Sequence, residues 1–385
     1  MLVERLKAEN YDELMDFINM VFSQDLIRVH FEEDLPLIFG RDDEHMSWQY
    51  AIRNESGRIR CAVASVPYTY IVDGREFKAR TITNVATHYQ HTGKGYMQAA
   101  LRAALDDMRA DGVDFAILSG HRERYRFWGF EAAGVCINAD YAAYNIRNRE
   151  KRGERPDFTF EPIDKSDVET IKRCLELFKA EPQHFLRTAD SFMLCNAMWE
   201  GRAYAVKSAE GKLCGYLNHS RRWGNAIREL LLNDASLTTR VVDSFINYLK
   251  VDNISVMISP FNERQVRQVY SDAENVVSTQ TCRMNLLRPE GLLAACLDAK
   301  LHAGAYMPEG ELVLDCMFGR LLIKNDGGFS VTQTTREPDV TVPGFEIYSL
   351  LFGPSSQVAS PFSAQLGKFG AWFPAPLYIH NTDRY

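Results

Sequence analysis

The residues best placed to do chemistry are Gly93, Lys94 and Gly95, set where a short strand turns into a helix: Asn84-Val-Ala-Thr-His-Tyr-Gln-His-Thr-Gly-Lys-Gly-Tyr-Met-Gln-Ala-Ala-Leu101. Glycine at 93 and 95 lets the backbone turn tightly and come close to a ligand. The first amides of the helix that follows, those of Tyr96, Met97 and Gln98, have no intrahelical partners. Such a helix start favours a negative charge by about 0.3–1 kcal/mol per exposed contact, and Lys94 adds a mobile countercharge. The spacing therefore predicts a cradle for a phosphate or pyrophosphate. A P-loop needs Gly-x-x-x-x-Gly-Lys-Ser/Thr, but Lys94 precedes Gly95 and Tyr96, so no hydroxyl is placed for magnesium and nucleotide hydrolysis is disfavoured. A dinucleotide fingerprint needs a third glycine where Gln98 stands.

Downstream, Asp114-Phe-Ala-Ile-Leu-Ser-Gly-His-Arg-Glu-Arg-Tyr-Arg-Phe-Trp-Gly-Phe130 reads as an apolar strand ending at Gly120, then a turn carrying Tyr125. In this order and at this separation, the two segments resemble the signature of the GNAT acetyltransferases. There, a Gln/Arg-x-x-Gly-x-Gly/Ala segment binds the coenzyme A pyrophosphate through backbone amides, and a Tyr-x-x-x-Gly-Phe/Tyr motif follows. Two registers fit: Gln90-x-x-Gly93-x-Gly95 matches the letters, whereas Thr92-x-x-Gly95-x-Met97 matches the spacing to Leu101 and is preferred, without the usual first arginine. The resemblance implies an acetyl-CoA site formed by Val85, Ala86, Thr87, Thr92, Gly93, Lys94, Gly95, Tyr96, Met97 and Gln98. It places Gly120 and His121 against the pantetheine and makes Tyr125 the acid that protonates the departing thiolate.

Stepping outward, the elements that hold these residues alternate helix and strand. Tyr11 to Phe22 puts Leu14, Met15, Phe17, Ile18 and Phe22 on one helical face. Arg60 to Val66 and Tyr68 to Val72 read as two strands before the Asp73-Gly74 turn. Met97, Ala100, Leu101, Ala104, Leu105 and Met108 form the apolar stripe of the cradle helix, which ends near Asp111-Gly112. The charged stretch from Ile146 to Asp157 reads as a linker.

Beyond it, strand and helix patterns recur up to about Leu287 and resemble a second, silent GNAT copy, since Glu229-Leu-Leu-Leu-Asn-Asp enters its helix with no glycine turn. The tail from Pro289 opens with a helix and continues with strands around Glu311, Arg320, Phe329 and Asp339, and resembles a sterol-carrier-protein-like α+β domain. The expected fold class is thus α/β (α+β), with a catalytic GNAT domain over 1–145, a degenerate copy over 146–287 and the sterol-carrier-like domain over 288–385. This arrangement resembles the Eis-type N-acetyltransferases. That likeness implies that the terminal carboxylate of Tyr385 returns to the active site as general base, and that the chain forms a homo-oligomer, a trimer or hexamer. A free α-carboxylate has a pKa of about 3.3–3.7, so desolvation must raise it for that task.

With 385 residues, 46% hydrophobic and 25% charged, the chain suits a soluble globular protein of several domains. A net charge of -7 disfavours nucleic-acid binding. Eight scattered cysteines without metal-ligand spacing read as buried thiols, so no metal is expected. The N-terminus lacks a signal-type core and no apolar run is long enough for a membrane, so the expected compartment is the cytoplasm. The expected function is acetyl-CoA-dependent transfer to a primary amine on a small molecule, an aminoglycoside, polyamine or lysine-like acceptor. A lipid or small-ligand carrier with a non-catalytic GNAT body, and a tRNA-dependent aminoacyltransferase, are the alternatives. Phe127 and Trp128 read as core, His88, His91 and His121 as solvated or core-bonded rather than as general bases, and Asp25, Glu32, Glu33 and Asp34 as a solvated face.

Overall fold

The computed structural model describes residues 2–24, 29–153, 155, 157–222, 224–353 and 361–384. Its N-terminal third supplies β1 (Glu4–Arg5), β2 (Gln49–Arg53), β3 (Ile59–Val72), β4 (Arg75–Thr87), β5 (Phe115–Leu118) and β6 (Glu131–Ala133). Around them lie α1 (Tyr11–Phe22), α2 (Phe31–Asp34), α3 (Asp43–Ser47), α4 (Tyr96–Ala110) and α5 (Arg122–Arg126). The stripe found in the sequence explains α4: Ala100, Leu101, Ala104, Leu105 and Met108 are buried against one face of the sheet. Leu14, Met15, Phe17 and Ile18 of α1 cover the opposite face.

The chain continues through β7 (Cys136–Ala142), α6 (Ile146–Lys151), β8 (Thr159–Pro162), α7 (Val168–Lys179), β9 (Gln183–Phe185), α8 (Ala189–Ala197), β10 (Arg202–Lys207), β11 (Leu213–Ser220), β12 (Ala226–Leu232), α9 (Thr238–Leu249), β13 (Asn253–Ile258), α10 (Glu263–Asp272), β14 (Asn275–Thr279) and β15 (Cys282–Leu286). Two mixed sheets result. An eight-stranded one has the order β1-β2-β3-β4-β5-β15-β6 with β9 added alongside β3, and a seven-stranded one has the order β14-β7-β13-β12-β11-β10-β8. Strand β15 thus closes the first sheet between β5 and β6, while β7 leaves for the second. After α11 (Pro289–His302), strands β16 (Gly310–Cys316), β17 (Gly319–Asn325), β18 (Phe329–Gln333) and β19 (Val340–Thr341) make a four-stranded sheet, followed by α12 (Glu346–Phe352). One apolar cluster joins this unit to the first sheet, with Leu292, Leu293, Leu314 and Trp372 packed together with Tyr70, Phe77 and Phe115.

The two strands expected around Pro67 are one strand, β3. Proline lacks an N–H, yet Pro67 sits in a stretch of β3 that pairs with β4 alone, between the segments that bind β2 and β9, so its second edge needs no donor. The supposed linker contains helix α6, and its Arg149 is buried with two donors to the Asp243 carboxylate at 2.6 and 2.5 Å, a charge pair that reads in sequence as solvated. Phe127 is 79% exposed rather than core. Asp34 is buried, not solvated, and Cys214 and Cys316 are only half-buried, whereas the other six thiols are buried. Asp25 lies outside the described residues.

The C-terminal segment docks between the sheets. The Tyr70 hydroxyl donates to the Tyr378 carbonyl (2.5 Å), and the Val135 amide to the Leu377 carbonyl (2.8 Å). Arg187, buried, donates to Asp383 (3.0 Å), Thr382 (2.7 Å) and both oxygens of Glu229 (3.1 Å each). Tyr385 itself lies outside the described residues. No helix among the described residues is long and apolar enough to cross a membrane, and no cluster of metal-ligating side chains occurs among them.

Candidate functional site

Strands β4 and β5 run parallel and pair from Ala79 and Phe115 to Ile82 and Leu118, then part. The separation has a local cause on β4. Thr83 faces Ala64 and Ala86 faces Ala62 on β3, so β4 carries one extra residue there, and Asn84 takes a left-handed φ of 52°. A bulge of this kind bends its strand and twists it away from its neighbour. The wedge that opens is the mouth of a cleft of about 1060 Å³.

One wall of the cleft is the predicted cradle. Gly93 and Gly95 have φ of 79° and 78°, a conformation only glycine adopts without strain, and Gly95 is the N-cap of α4. The Lys94 amide bonds back to the His91 carbonyl (3.4 Å) and the next to do so is that of Ala99, to the Gly95 carbonyl (3.0 Å), so the amides of Gly95, Tyr96, Met97 and Gln98 remain for a ligand. A methyl built on Gly93 would meet nothing within 4 Å, which leaves the approach to the backbone open. Lys94 and His91 stand beside these amides. Burial, with the Lys94 and Arg60 charges, lowers the His91 pKa, so its imidazole is neutral near pH 7.

Across the cleft, β5 ends and Ser119, Gly120 and His121 lead into α5, which delivers Tyr125. The Tyr125 ring is buried against Phe130, and a methyl at Gly120 would lie 2.7 Å from its Cε2, so glycine at 120 makes the room that the ring occupies. Burial raises the Tyr125 pKa above its usual 10, against the lowering effect of Arg124, and the phenol keeps its proton throughout the neutral range. Asn84 also faces the cleft. Its Nδ2 is buried and has no hydrogen-bond partner among the described residues, leaving a donor for a ligand.

Of the residues singled out from sequence, Val85, Thr87, Thr92, Gly93, Lys94, Gly95, Tyr96, Met97, Gln98, Gly120, His121 and Tyr125 all line this one cleft. Ala86 does not: it is fully buried on the α1 side of the sheet. His88 is buried and stacked on Tyr89, outside the lining. Tyr385 lies outside the described residues.

Sequence reasoning missed the far wall, made of Val21 and Phe22 at the end of α1, Phe31 of α2, and Trp199 from the turn Met198–Glu200 between α8 and β10. Trp199 and Glu200 both take left-handed backbone angles, φ 54° and 57°. For non-glycine residues this costs roughly 1–2 kcal/mol each. The turn is held by the Ser220 hydroxyl, which donates to the Trp199 carbonyl (2.8 Å), and by Arg222, which lies 5.3 Å from the Trp199 ring centre. No local pattern marks Trp199, because the contact joins segments more than a hundred and fifty residues apart.

The second sheet repeats the parallel strand pair across a helix, β12 and β13 flanking α9, but its turn lacks the cradle. There the Asp234 carboxylate already accepts from the Ser236 amide (3.0 Å), placing negative charge where an anion would bind.

Residues 3–133 match the family model of an acetyltransferase (GNAT) domain. Solved structures similar along the whole chain include a GCN5-related N-acetyltransferase from Kribbella flavida (17% identity, TM-score 0.68, covering 100% of this chain and 98% of that one). Another is a GCN5-related N-acetyltransferase from Anabaena variabilis (16%, TM-score 0.65, 100% of both chains). A third is Eis1 from Mycobacterium abscessus (13%, TM-score 0.62, 96% of both chains). At these identities the likeness shows the fold. No curated protein matches the chain.

Proposed function

We propose that this chain, whose residues 3–133 form a GNAT acetyltransferase domain, is an acetyl-CoA-dependent N-acetyltransferase for a primary amine. One observation carries the reading: unpaired helix amides and a protonated, buried phenol face each other across a single cleft between two parting parallel strands. The residues suit acetyl-CoA. The Gly95–Gln98 amides and Lys94 meet a diphosphate's charge, and the strand edges left unpaired beyond Ile82 and Leu118 offer amides and carbonyls to an amide-bearing pantetheine arm. Acetyl-CoA supplies an activated acyl carbon when bound. Tyr125 holds a proton for the sulfur as the bond to the acyl carbon breaks, and its raised pKa keeps that proton available. The buried docking of residues 377–383 supports a role for the chain's end, with the Tyr385 carboxylate as the base that takes the proton from the attacking amine. The second copy is proposed to be silent, the C-terminal unit to be sterol-carrier-like, and the protein to work in the cytoplasm as a homo-oligomer, without nucleic acid or membrane as partner.

The test is calorimetry with coenzyme A together with thiol release from acetyl-CoA over a panel of amines. Binding of coenzyme A, and amine-dependent thiol release that falls by about 10²–10⁴ in Tyr125→Phe, are expected. A protein that binds no coenzyme A overturns the reading.

A further inference from the structure

The cleft is chemically divided. The cradle wall carries the free amides with the Lys94 and His91 side chains, Arg124 stands with Tyr125 across from it, and the far wall is built from Val21, Phe22, Phe31 and Trp199. Among the described residues lining the cleft there is no aspartate or glutamate. Three carboxylates adjoining the wall residues in sequence are tied up: Arg222 Nη1 lies 3.1 Å from Asp34 and 2.8 Å from Glu200, and Asn19 Nδ2 donates to Glu32 (2.8 Å). Phe31 meets Phe22 edge-on at 4.9 Å and Trp199 at 6.0 Å, so the wall is one continuous aromatic surface contributed by both halves of the molecule.

We propose that this wall selects the acceptor, an amine carried on an aromatic or branched aliphatic body, and that Trp199 is its specificity-determining residue, so polycations are poor substrates. The inference rests on the acetyltransferase reading and narrows it. A polycation needs several carboxylates to replace its lost hydration, whereas the described lining supplies none and the proposed Tyr385 carboxylate would serve the attacking amine alone. An amine docked on apolar rings instead gives up its proton more readily, which yields the uncharged nucleophile that attack on a thioester requires. The left-handed pair Trp199 and Glu200 fits such a role, since strained backbone persists where surrounding contacts impose it and gathers at functional sites.

The test titrates 2-phenylethylamine and spermidine, with and without saturating coenzyme A, into wild type, Trp199→Ala and Trp199→Phe. Melting temperatures confirm folding, and thiol release is measured with both amines. Wild type is expected to bind and acetylate 2-phenylethylamine at least tenfold better than spermidine. Trp199→Ala should weaken phenylethylamine binding tenfold or more, Trp199→Phe should restore most of it, and coenzyme A affinity should not change. Tighter binding of spermidine, or an unchanged phenylethylamine affinity in both variants, overturns the proposal. Should Trp199→Ala not fold, the wild-type preference and Trp199→Phe decide it. A protein that takes up the amine but no coenzyme A would overturn the transferase reading, and with it the acceptor role, while a Trp199-dependent preference for the aromatic amine would still support the wall as the amine's binding surface.

Discussion

Replacing Gly120 by alanine isolates the placement of Tyr125 from its chemistry. The glycine's φ is not left-handed, so the backbone accepts a methyl and only space is at issue. That methyl would sit 2.7 Å from Tyr125 Cε2 and 3.2 Å from Cδ2, and ordinary contact begins near 3.4 Å, so the ring must retreat by roughly 0.7 Å. The ring is 7% exposed and packed with Phe130, so it cannot swing free. Overpacking of this kind costs about 1–3 kcal/mol of stability. A displacement approaching 1 Å in a catalytic group costs up to about 10²-fold in rate. Gly120→Ala is therefore expected to lower kcat about 10–100-fold, with a smaller change in KM for acetyl-CoA, because the diphosphate cradle lies on the other wall. The decisive measurement is a double-mutant cycle with Tyr125→Phe. If Gly120 acts through the phenol, adding Gly120→Ala to Tyr125→Phe slows turnover little further. If it slows the phenylalanine enzyme by the same factor as wild type, the argument is wrong.

Two further outcomes concern stability. Arg149→Met removes both guanidinium donors from the buried Asp243 carboxylate and should cost about 3–5 kcal/mol by urea unfolding, while Arg149→Met with Asp243→Leu should recover most of it. At the tail, burial lowers the His380 pKa from 6.5 to about 3, outweighing Glu229 at 3.4 Å. A depressed histidine favours the folded state fully above pH 6.5 and loses that contribution as pH falls towards 3. At Glu229 burial is the largest single effect and raises the pKa, but the Arg187 charge, His380 and the hydrogen bonds from Arg187 and Thr382 together lower it to about 2, so its contribution is lost in the same direction, below about 4.5. Asp383, raised by burial, acts oppositely at the acid end of this range. Thermal stability should accordingly drop between pH 6.5 and 5, and His380→Gln should flatten the drop; an identical slope in the variant would exclude His380 as its source.

What the chain discloses in one dimension is what neighbouring residues decide together. The α1 and α4 stripes, the Gly93 to Gln98 turn and the Tyr125 loop are legible because period, glycine and helix start are local properties, and these specify one complete wall of the cleft and its phenol. Local patterns do not report pairing. Arg149 and Asp243, Asp34 and Arg222, and Arg187 with Glu229 and Asp383 look like surface charges until distant partners bury them. Pro67 looks like a strand break until its unpaired edge is seen. Trp199 looks like any tryptophan because its meeting with Phe31 depends on how the halves dock.

The exchange of strands has a consequence for how the molecule is made. Residues 3–133 carry the acetyltransferase match, yet the second edge of β5 is covered, among the described residues, by Arg283–Leu286, through register partners such as Arg283 with Leu118 and Leu286 with Phe115. A ribosome that has released the matched segment has therefore released an open sheet, with Phe115–Leu118 bare until some one hundred and fifty further residues emerge. An exposed apolar strand edge recruits other chains. Biogenesis thus has a vulnerable interval, and expression of the matched segment by itself would make that interval permanent.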